Sequence, residues 1–112
     1  MRRNLEAKEE LRRGREAENQ GNHGRARVCA RRAVGAVLAE YHRSNKEATQ
    51  STDAVSLLKN FLVDSSLPDE VAEAGKRLVE RVRPDFSSAS LKPLEDAESI
   101  IKYVKQRFGP IE

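Results

Sequence analysis

The clearest pattern in the chain is a broad apolar face between residues 24 and 43. Apolar side chains recur there at spacings of three and four, the periodicity of an α-helix with one buried face. We therefore predict a helix over 24–43 at the centre of a helical bundle. Gly35 lies inside it and costs about 1 kcal/mol relative to Ala, so either a neighbouring helix approaches closely there, which we favour, or glycine is merely tolerated at this position. The apolar positions are Ala26, Cys29, Ala30, Ala33, Val34, Val37, Leu38 and Tyr41.

Four further helices are predicted from weaker or shorter patterns. The first, about 3–19, ends at the turn 20–24, where Gly and Asn accept the left-handed backbone of a helix end. The third follows Asp53 as N-cap and ends near residue 64. The fourth begins near Ser66 or Leu67, with Pro68 in its first turn, and stops at Pro84. The last spans about 93–108. The fourth helix carries a stripe of Val71, Gly75, Leu78 and Val82.

These patterns together predict an all-α fold, an antiparallel up-and-down bundle of about five helices in a single domain over 1–112. The 112 residues suffice to bury a core without disulfides or metals. Only 4% of the residues are aromatic and there is no Trp, so the core is built from Ala, Val, Leu and Ile. This composition favours helices that pack closely on small side chains.

The charge distribution, the cysteine content and the lack of long apolar runs indicate the cellular environment of the protein. Residues 1–43 carry 11 Lys or Arg against 6 acidic residues, whereas residues 44–112 carry 10 against 12. The single cysteine, Cys29, excludes an intramolecular disulfide and is expected in the core. The chain shows neither a signal peptide nor an apolar run that could cross a bilayer. We therefore expect a cytoplasmic protein with no membrane association.

The order of these segments resembles the HEPN family of small helical bundles, which occur with minimal nucleotidyltransferases. The resemblance covers most of the chain. Its parts are the turn Gly21-Asn22-His23-Gly24, the Ala-rich segment 27–34 and the closing segment 96–105. The segment 81–86 adds to it, although Arg83 stands where many members have Tyr and Val82 where they have Arg. The resemblance implies a homodimer, a possible nucleotidyltransferase partner, and nucleotide or RNA binding.

The candidate binding residues are basic side chains on the second helix and in the segment before the last one. Arg25, Arg27 and Arg31, with Arg32 one residue on, could bind phosphates, or could instead pair with Glu residues of the first helix. In the segment that the family resemblance highlights, the candidates are Arg81, Arg83 and Asp85. Arg before Pro and Asp is also ordinary chemistry for a helix end, so both interpretations of these residues stay open.

Catalysis finds little support in the sequence. HEPN ribonucleases carry Arg before His with about four to six residues between them, but the matching positions before His42 are Gly35, Ala36 and Val37, and those before His23 are Glu16, Ala17 and Glu18. We therefore expect no catalytic residue, no metal and no cofactor, and a non-catalytic module that binds a partner, a nucleotide or RNA. The alternatives are a diverged ribonuclease toxin that uses His42, or a tetratricopeptide-like interaction scaffold.

Overall fold

The computed structural model describes residues 2–44, 54–63, 66–80 and 92–108. In these ranges the chain forms five helices and no strand, which confirms the all-α prediction and gives bounds close to those expected. The helices are α1 (Arg2–Asn19), α2 (His23–Ser44), α3 (Ala54–Phe61), α4 (Asp69–Val79) and α5 (Pro93–Phe108).

Helix α2 is the centre of the bundle, as its broad apolar face predicts. It packs against each of the other four helices. Ala30, Ala33 and Val34 are fully buried, and α5 contributes Ala97 and Ile100 to the same core. Small side chains along α2 let its neighbours come close, while Leu and Ile from those neighbours fill the remaining space. Burial of each large aliphatic side chain contributes about 1.5–3 kcal/mol.

A three-residue turn joins α1 to α2. Gly21 has φ 79°, in the left-handed region that favours glycine. Its N–H donates to the Glu18 carbonyl at 3.0 Å, and the Asn22 N–H donates to the Ala17 carbonyl at 2.8 Å. These two bonds form a Schellman motif that satisfies the last carbonyls of α1. Asn22 then caps α2, because its Oδ1 accepts the Arg25 N–H at 3.1 Å.

Gly35 marks the crossing of α2 and α3, as predicted. A Cβ at this position would lie 2.8 Å from the Ala54 Cβ and 3.1 Å from the Ala54 Cα. Because the obstructing atoms belong to the start of α3 rather than to a flexible side chain, α3 would have to move to accept any larger residue. The helix-breaking cost of glycine is therefore offset by the close approach of two backbones.

Helix α4 is shorter than its apolar stripe predicts. It begins at Asp69, with Pro68 as the N-cap rather than within the first turn, and ends at Val79. Glu80 is extended, with φ −67° and ψ 137°, so the helix does not continue towards Val82. Asp69 and Glu70 occupy the first turn, where the helix dipole favours negative charge. The predicted N-cap Asp53 and the stop at Pro84 lie outside the described residues.

A bidentate ion pair joins α4 to α5. Arg77 Nη2 donates to Asp96 Oδ1 at 2.8 Å and Arg77 Nε donates to Asp96 Oδ2 at 3.1 Å. Asp96 is only 9% exposed and lies in the first turn of α5. The hydrogen bond to Asp96 raises the pKa of the Arg77 guanidinium. Because the fork of Arg fits a carboxylate in one orientation, this pair fixes how α4 sits on α5.

We expect the change Gly35→Ala to destabilise the fold although Ala is the better helix former. The added methyl group overpacks the α2–α3 crossing, and such changes cost about 1–3 kcal/mol. Gly24→Ala is the matched control in the same helix, since nothing lies within 4 Å of a Cβ there. Urea denaturation should show a lower midpoint for Gly35→Ala and an equal or higher midpoint for Gly24→Ala. Equal stability of both variants would contradict the close crossing.

The change Asp96→Asn should lower the free energy of unfolding by about 1–2 kcal/mol, because it removes the charge from a buried acceptor of two hydrogen bonds. The estimate is reduced for solvent screening, since the Arg77 side chain is 43% exposed. Glu9→Gln is the control, because Glu9 pairs with Arg12 on an exposed surface and its loss should change stability little. Chemical denaturation of both variants tests this prediction. Equal decreases in the free energy of unfolding would show that the buried ion pair stabilises the fold no more than the exposed one does.

Candidate nucleotide-binding groove

A groove runs along one face of α2, between α1 and the start of α3. Its volume is about 500 Å³, which lies in the range of small-molecule sites in proteins. Val28, Gly35, Ala36 and Ala39 fall at helical spacing, so they share one face of α2 and form most of the floor. The full lining consists of Glu6, Glu10, Val28, Arg31, Arg32, Gly35, Ala36, Ala39, Ala54 and Val55.

The charges of the groove are separated by helix. Glu6 and Glu10 lie one turn apart on α1, whereas Arg31 and Arg32 belong to α2. The packing of α1 antiparallel to α2 accounts for this arrangement. A Cβ on Gly14 would lie 3.1 Å from the Cys29 Cβ, so the two helices are in close contact at these two positions. That contact brings the middle of α1 level with Cys29 and places Glu10 near the turn that carries Arg32. The groove thus has carboxylates from one helix and guanidinium groups from the next.

Arg31 holds the end of α4 as well as lining the groove. Its Nε donates to the Leu78 carbonyl, and its Nη2 donates to the Glu80 carbonyl at 3.0 Å. These carbonyls belong to the last turn of α4 and the residue after it, where a cation is favoured by the helix dipole. The sequence offered phosphate or a Glu of α1 as the partner of Arg31, and missed the backbone of α4. The guanidinium nevertheless keeps its charge beside the groove.

Arg32 is the cation of the groove that faces solvent. Its side chain is exposed, and it makes no hydrogen bond or ion pair to another residue in the described part of the chain. A phosphate could approach this side chain without breaking an existing contact. The sequence included Arg32 beside Arg31 among the possible phosphate ligands, and the fold makes Arg32 the more accessible of the two.

The structure does not bring all the predicted site residues together. Arg25 is exposed at the start of α2 and Arg27 is half-buried, and neither lines the groove. Arg81, Arg83 and Asp85 lie outside the described residues. His42 belongs to α2, but its side chain also lies outside the described part. Their suggested roles therefore stay predictions, and among the described candidates for phosphate binding only Arg31 and Arg32 line the groove.

Glu6 and Glu10 are the groove residues that sequence reasoning missed. The Glu residues of the first helix were considered only as possible partners of the Arg side chains of the second helix. A usable signal was nevertheless present, because the apolar stripe of Ala7, Gly14 and Ala17 fixes the buried side of α1. Glu6 and Glu10 fall on the same side of Ala7 as Ala17 does, at the edge of that stripe. Their position beside a neighbouring helix could have been inferred, but the identity of that helix could not.

Cys29 is buried beside Glu10, as its place on the apolar face of α2 predicts. The residue is 2% exposed. Burial raises the pKa of the Cys29 thiol, and the negative charge of Glu10 and a side-chain hydrogen bond with it act in the same direction. The charges of Arg25 and Arg32 oppose this effect. Two residues that line the groove, Glu10 and Arg32, therefore shift the pKa of this buried thiol in opposite directions.

Metal-binding clusters and membrane-spanning helices are both absent from the described residues. No group of three or more His, Cys, Asp or Glu side chains there could hold a metal ion. No helix in these ranges is both long enough and apolar enough to cross a membrane. The groove between α1, α2 and α3 combines Arg and Glu side chains with an aliphatic floor, which suits a polar organic ligand.

Comparison of the chain with protein-family models, curated proteins and solved structures gave no match. The resemblance to the HEPN family therefore stays a prediction from the sequence.

We expect Cys29 to react slowly with iodoacetamide in the folded protein. Its raised pKa keeps the thiol protonated at pH values where a free cysteine has begun to form the reactive thiolate, and its burial blocks the reagent. Glu10→Gln removes the charge that opposes ionisation, so its reaction should begin at lower pH than in the unchanged protein. Mass spectrometry of timed samples across a pH series measures both rates, with urea-unfolded protein as the reference. Equal rates in folded and unfolded protein would contradict the described burial.

Proposed function

We propose that this chain is a non-catalytic, HEPN-like helical module that binds a nucleotide, either free or within RNA, in the groove between α1, α2 and α3. The observation that carries the proposal is the combination of two guanidinium groups, two carboxylates and an aliphatic floor around one groove of about 500 Å³. As the family resemblance implies, the module would act as a homodimer and with a protein partner such as a nucleotidyltransferase.

Phosphate recognition is the first step of the argument. Arg32 is exposed and uncommitted among the described residues, while Arg31 is held in place by the carbonyls of Leu78 and Glu80. A cation held by backbone carbonyls beside a solvent-exposed one provides positive potential together with a side chain that a ligand can reach. Arg is suited to this role because its planar fork binds two phosphate oxygens at once.

The rest of the groove suits the nucleoside. Ala36 and Gly35 are buried and Val28 is partly exposed, so the floor is a shallow aliphatic surface against which a planar ring can pack. The carboxylates of Glu6 and Glu10 accept hydrogen bonds and cannot donate them when ionised. Ribose hydroxyls and the N–H groups of bases are donors that match them. A simple inorganic anion would use only the Arg side of the groove.

A non-catalytic role is favoured over the ribonuclease alternative by the sequence. The positions that would carry Arg in a HEPN ribonuclease are Gly35, Ala36 and Val37 before His42, and the first two of these form the floor of the groove. The alternative keeps His42 as its candidate. RNA cleavage that is lost in His42→Ala would favour that alternative.

Titration of the ¹⁵N-labelled full chain with the four ribonucleoside monophosphates tests the proposal. We expect amide shifts concentrated at the groove, and at least about a tenfold weaker binding in Arg32→Ala, since a charge-assisted phosphate contact contributes about 1.5–3 kcal/mol. Arg12→Ala and Arg25→Ala are matched controls, because each removes one positive charge outside the groove and should weaken binding much less.

The salt dependence adds a second readout for the same experiment. Binding that depends on phosphate contacts weakens as salt rises, and the slope should fall in Arg32→Ala but not in Arg12→Ala. The absence of binding by all four nucleotides at millimolar concentration would overturn the proposed function. Equal losses in all three Arg variants would show a diffuse charge effect instead of a groove site.

A further inference from the structure

A second groove lies on the other side of α1, between α1 and α5. Glu6 and Glu10 fall at one edge of the buried stripe of α1, whereas Leu11 falls at the opposite edge and faces α5. Helix α1 therefore separates this α1–α5 groove from the groove proposed for nucleotide. Its volume is about 510 Å³, and its lining consists of Leu11, Glu98, Ile101, Lys102, Lys105 and Gln106.

Close contact between α1 and α5 bounds this groove at one end. A Cβ on Gly14 would lie 2.5 Å from Leu94 Cδ2, so the two helices touch there. Next to this contact, Arg15 of α1 donates to Glu98 of α5 and bridges the helices. Beyond the bridge, the groove follows α5 as far as Gln106. The exposed trough is thus about two helical turns long, or about 10 Å.

The floor of the α1–α5 groove is aliphatic. Leu11 is half-buried and packs on the core, and Ile101 is buried beside it. Lys102 and Lys105 line the groove with methylene stems that are apolar up to the ammonium group. An apolar trough between two helices is the shape into which a further amphipathic helix packs, with its side chains at i, i+3 or i+4, and i+7 pointing inwards.

The charge of the lining is positive. Lys102 is exposed and makes no hydrogen bond or ion pair to another residue in the described ranges. Lys105 lies one turn further along the same face of α5. The one carboxylate of the lining, that of Glu98, is already paired with Arg15. A partner that brings acidic side chains to this edge therefore gains attraction, while a basic partner is repelled.

We propose that the α1–α5 groove docks an amphipathic helix of a partner protein, with its apolar side chains on Leu11 and Ile101 and acidic side chains beside Lys102 and Lys105. A second copy of this chain fits less well, because a two-fold contact of groove on groove brings the lysines of both copies together. The inference goes beyond the proposed function and does not depend on nucleotide binding, since the occupied groove is a different one.

A display library of amphipathic peptides tests this docking with the full chain as the target. Each peptide has about 15 residues, long enough to form a helix. Leu is fixed at the inward positions, and the flanking positions vary among Glu, Gln and Lys. We expect enrichment of peptides with Glu on the flanks. Amide shifts of the ¹⁵N-labelled chain on adding such a peptide should centre on residues 98–106 and Leu11. No enrichment, neutral or basic flanks, or shifts elsewhere would overturn the proposal.

Charge variants locate the contact. Lys102→Glu should weaken binding of the selected peptide at least about tenfold, because it places two like charges side by side. Lys76→Glu is the matched control, since Lys76 is exposed on α4 and lies outside the groove. A peptide with Lys in place of its Glu residues should bind Lys102→Glu more tightly than it binds the unchanged chain. Equal losses in the two variants would overturn the contact.

Folding and location are checked on the same variants. Circular dichroism shows whether each variant is still helical, and Lys105→Gln is a second groove variant in case Lys102→Glu weakens the fold. Vesicles of phosphatidylcholine and phosphatidylglycerol test the other use of an apolar and basic surface. Vesicle binding that Lys102→Glu abolishes, with no acidic peptide enriched, would overturn the partner helix in favour of a membrane surface.

The two proposals fail separately. A chain that binds the selected peptides but none of the ribonucleoside monophosphates would support the docking groove and overturn the proposed nucleotide binding. A chain that binds nucleotide through Arg32 but enriches no acidic peptide would do the reverse.

Discussion

Close approach of the neighbouring helices to α2 is the constraint on which the rest of this structure depends. Ala30 and Ala33 are fully buried, and Gly35 brings α2 within contact distance of the backbone at Ala54. Small side chains permit this approach because they leave the helix surface nearly flat at the crossings. With larger residues at these positions the helices would separate, and both the core and the groove would change shape.

The groove follows from the same packing. The groove lies beside the close contact of Gly35 with Ala54, and charged residues of α1 and α2 line it. Arg31 connects this space to α4, because its guanidinium donates to the carbonyls of Leu78 and Glu80. Arg31 therefore links the centre of α2 and the rim of the groove to the end of α4. A change at Arg31 would alter the fold and the surface charge together.

Two ion pairs show how the position of a charged side chain determines its contribution to the fold. Arg77 and Asp96 join two helices through a buried carboxylate, whereas Arg12 and Glu9 lie on the exposed side of one helix. The first pair specifies an orientation, and the second adds little beyond local helix stability. Glu10 and Arg32 differ from both, since they lie on the two sides of a groove that a ligand could enter. The charge-rich composition thus has several distinct structural uses.

The helices of this protein, their approximate bounds and the buried face of α2 were determined by the sequence, because helical periodicity, glycine turns and capping residues act over a few neighbouring positions. The Gly21 turn and the close crossing at Gly35 could be predicted for the same reason. Tertiary structure alone decided the partners: it assigned Arg31 to the carbonyls of α4, placed Asp96 against Arg77, ended α4 at Val79, and set Glu10 beside Cys29 and near Arg32. These outcomes depend on contacts between residues distant in the chain, where the same Arg could meet a carboxylate, a carbonyl or a phosphate with comparable local preference. Only the packing of α1, α3 and α4 around α2 selects among them.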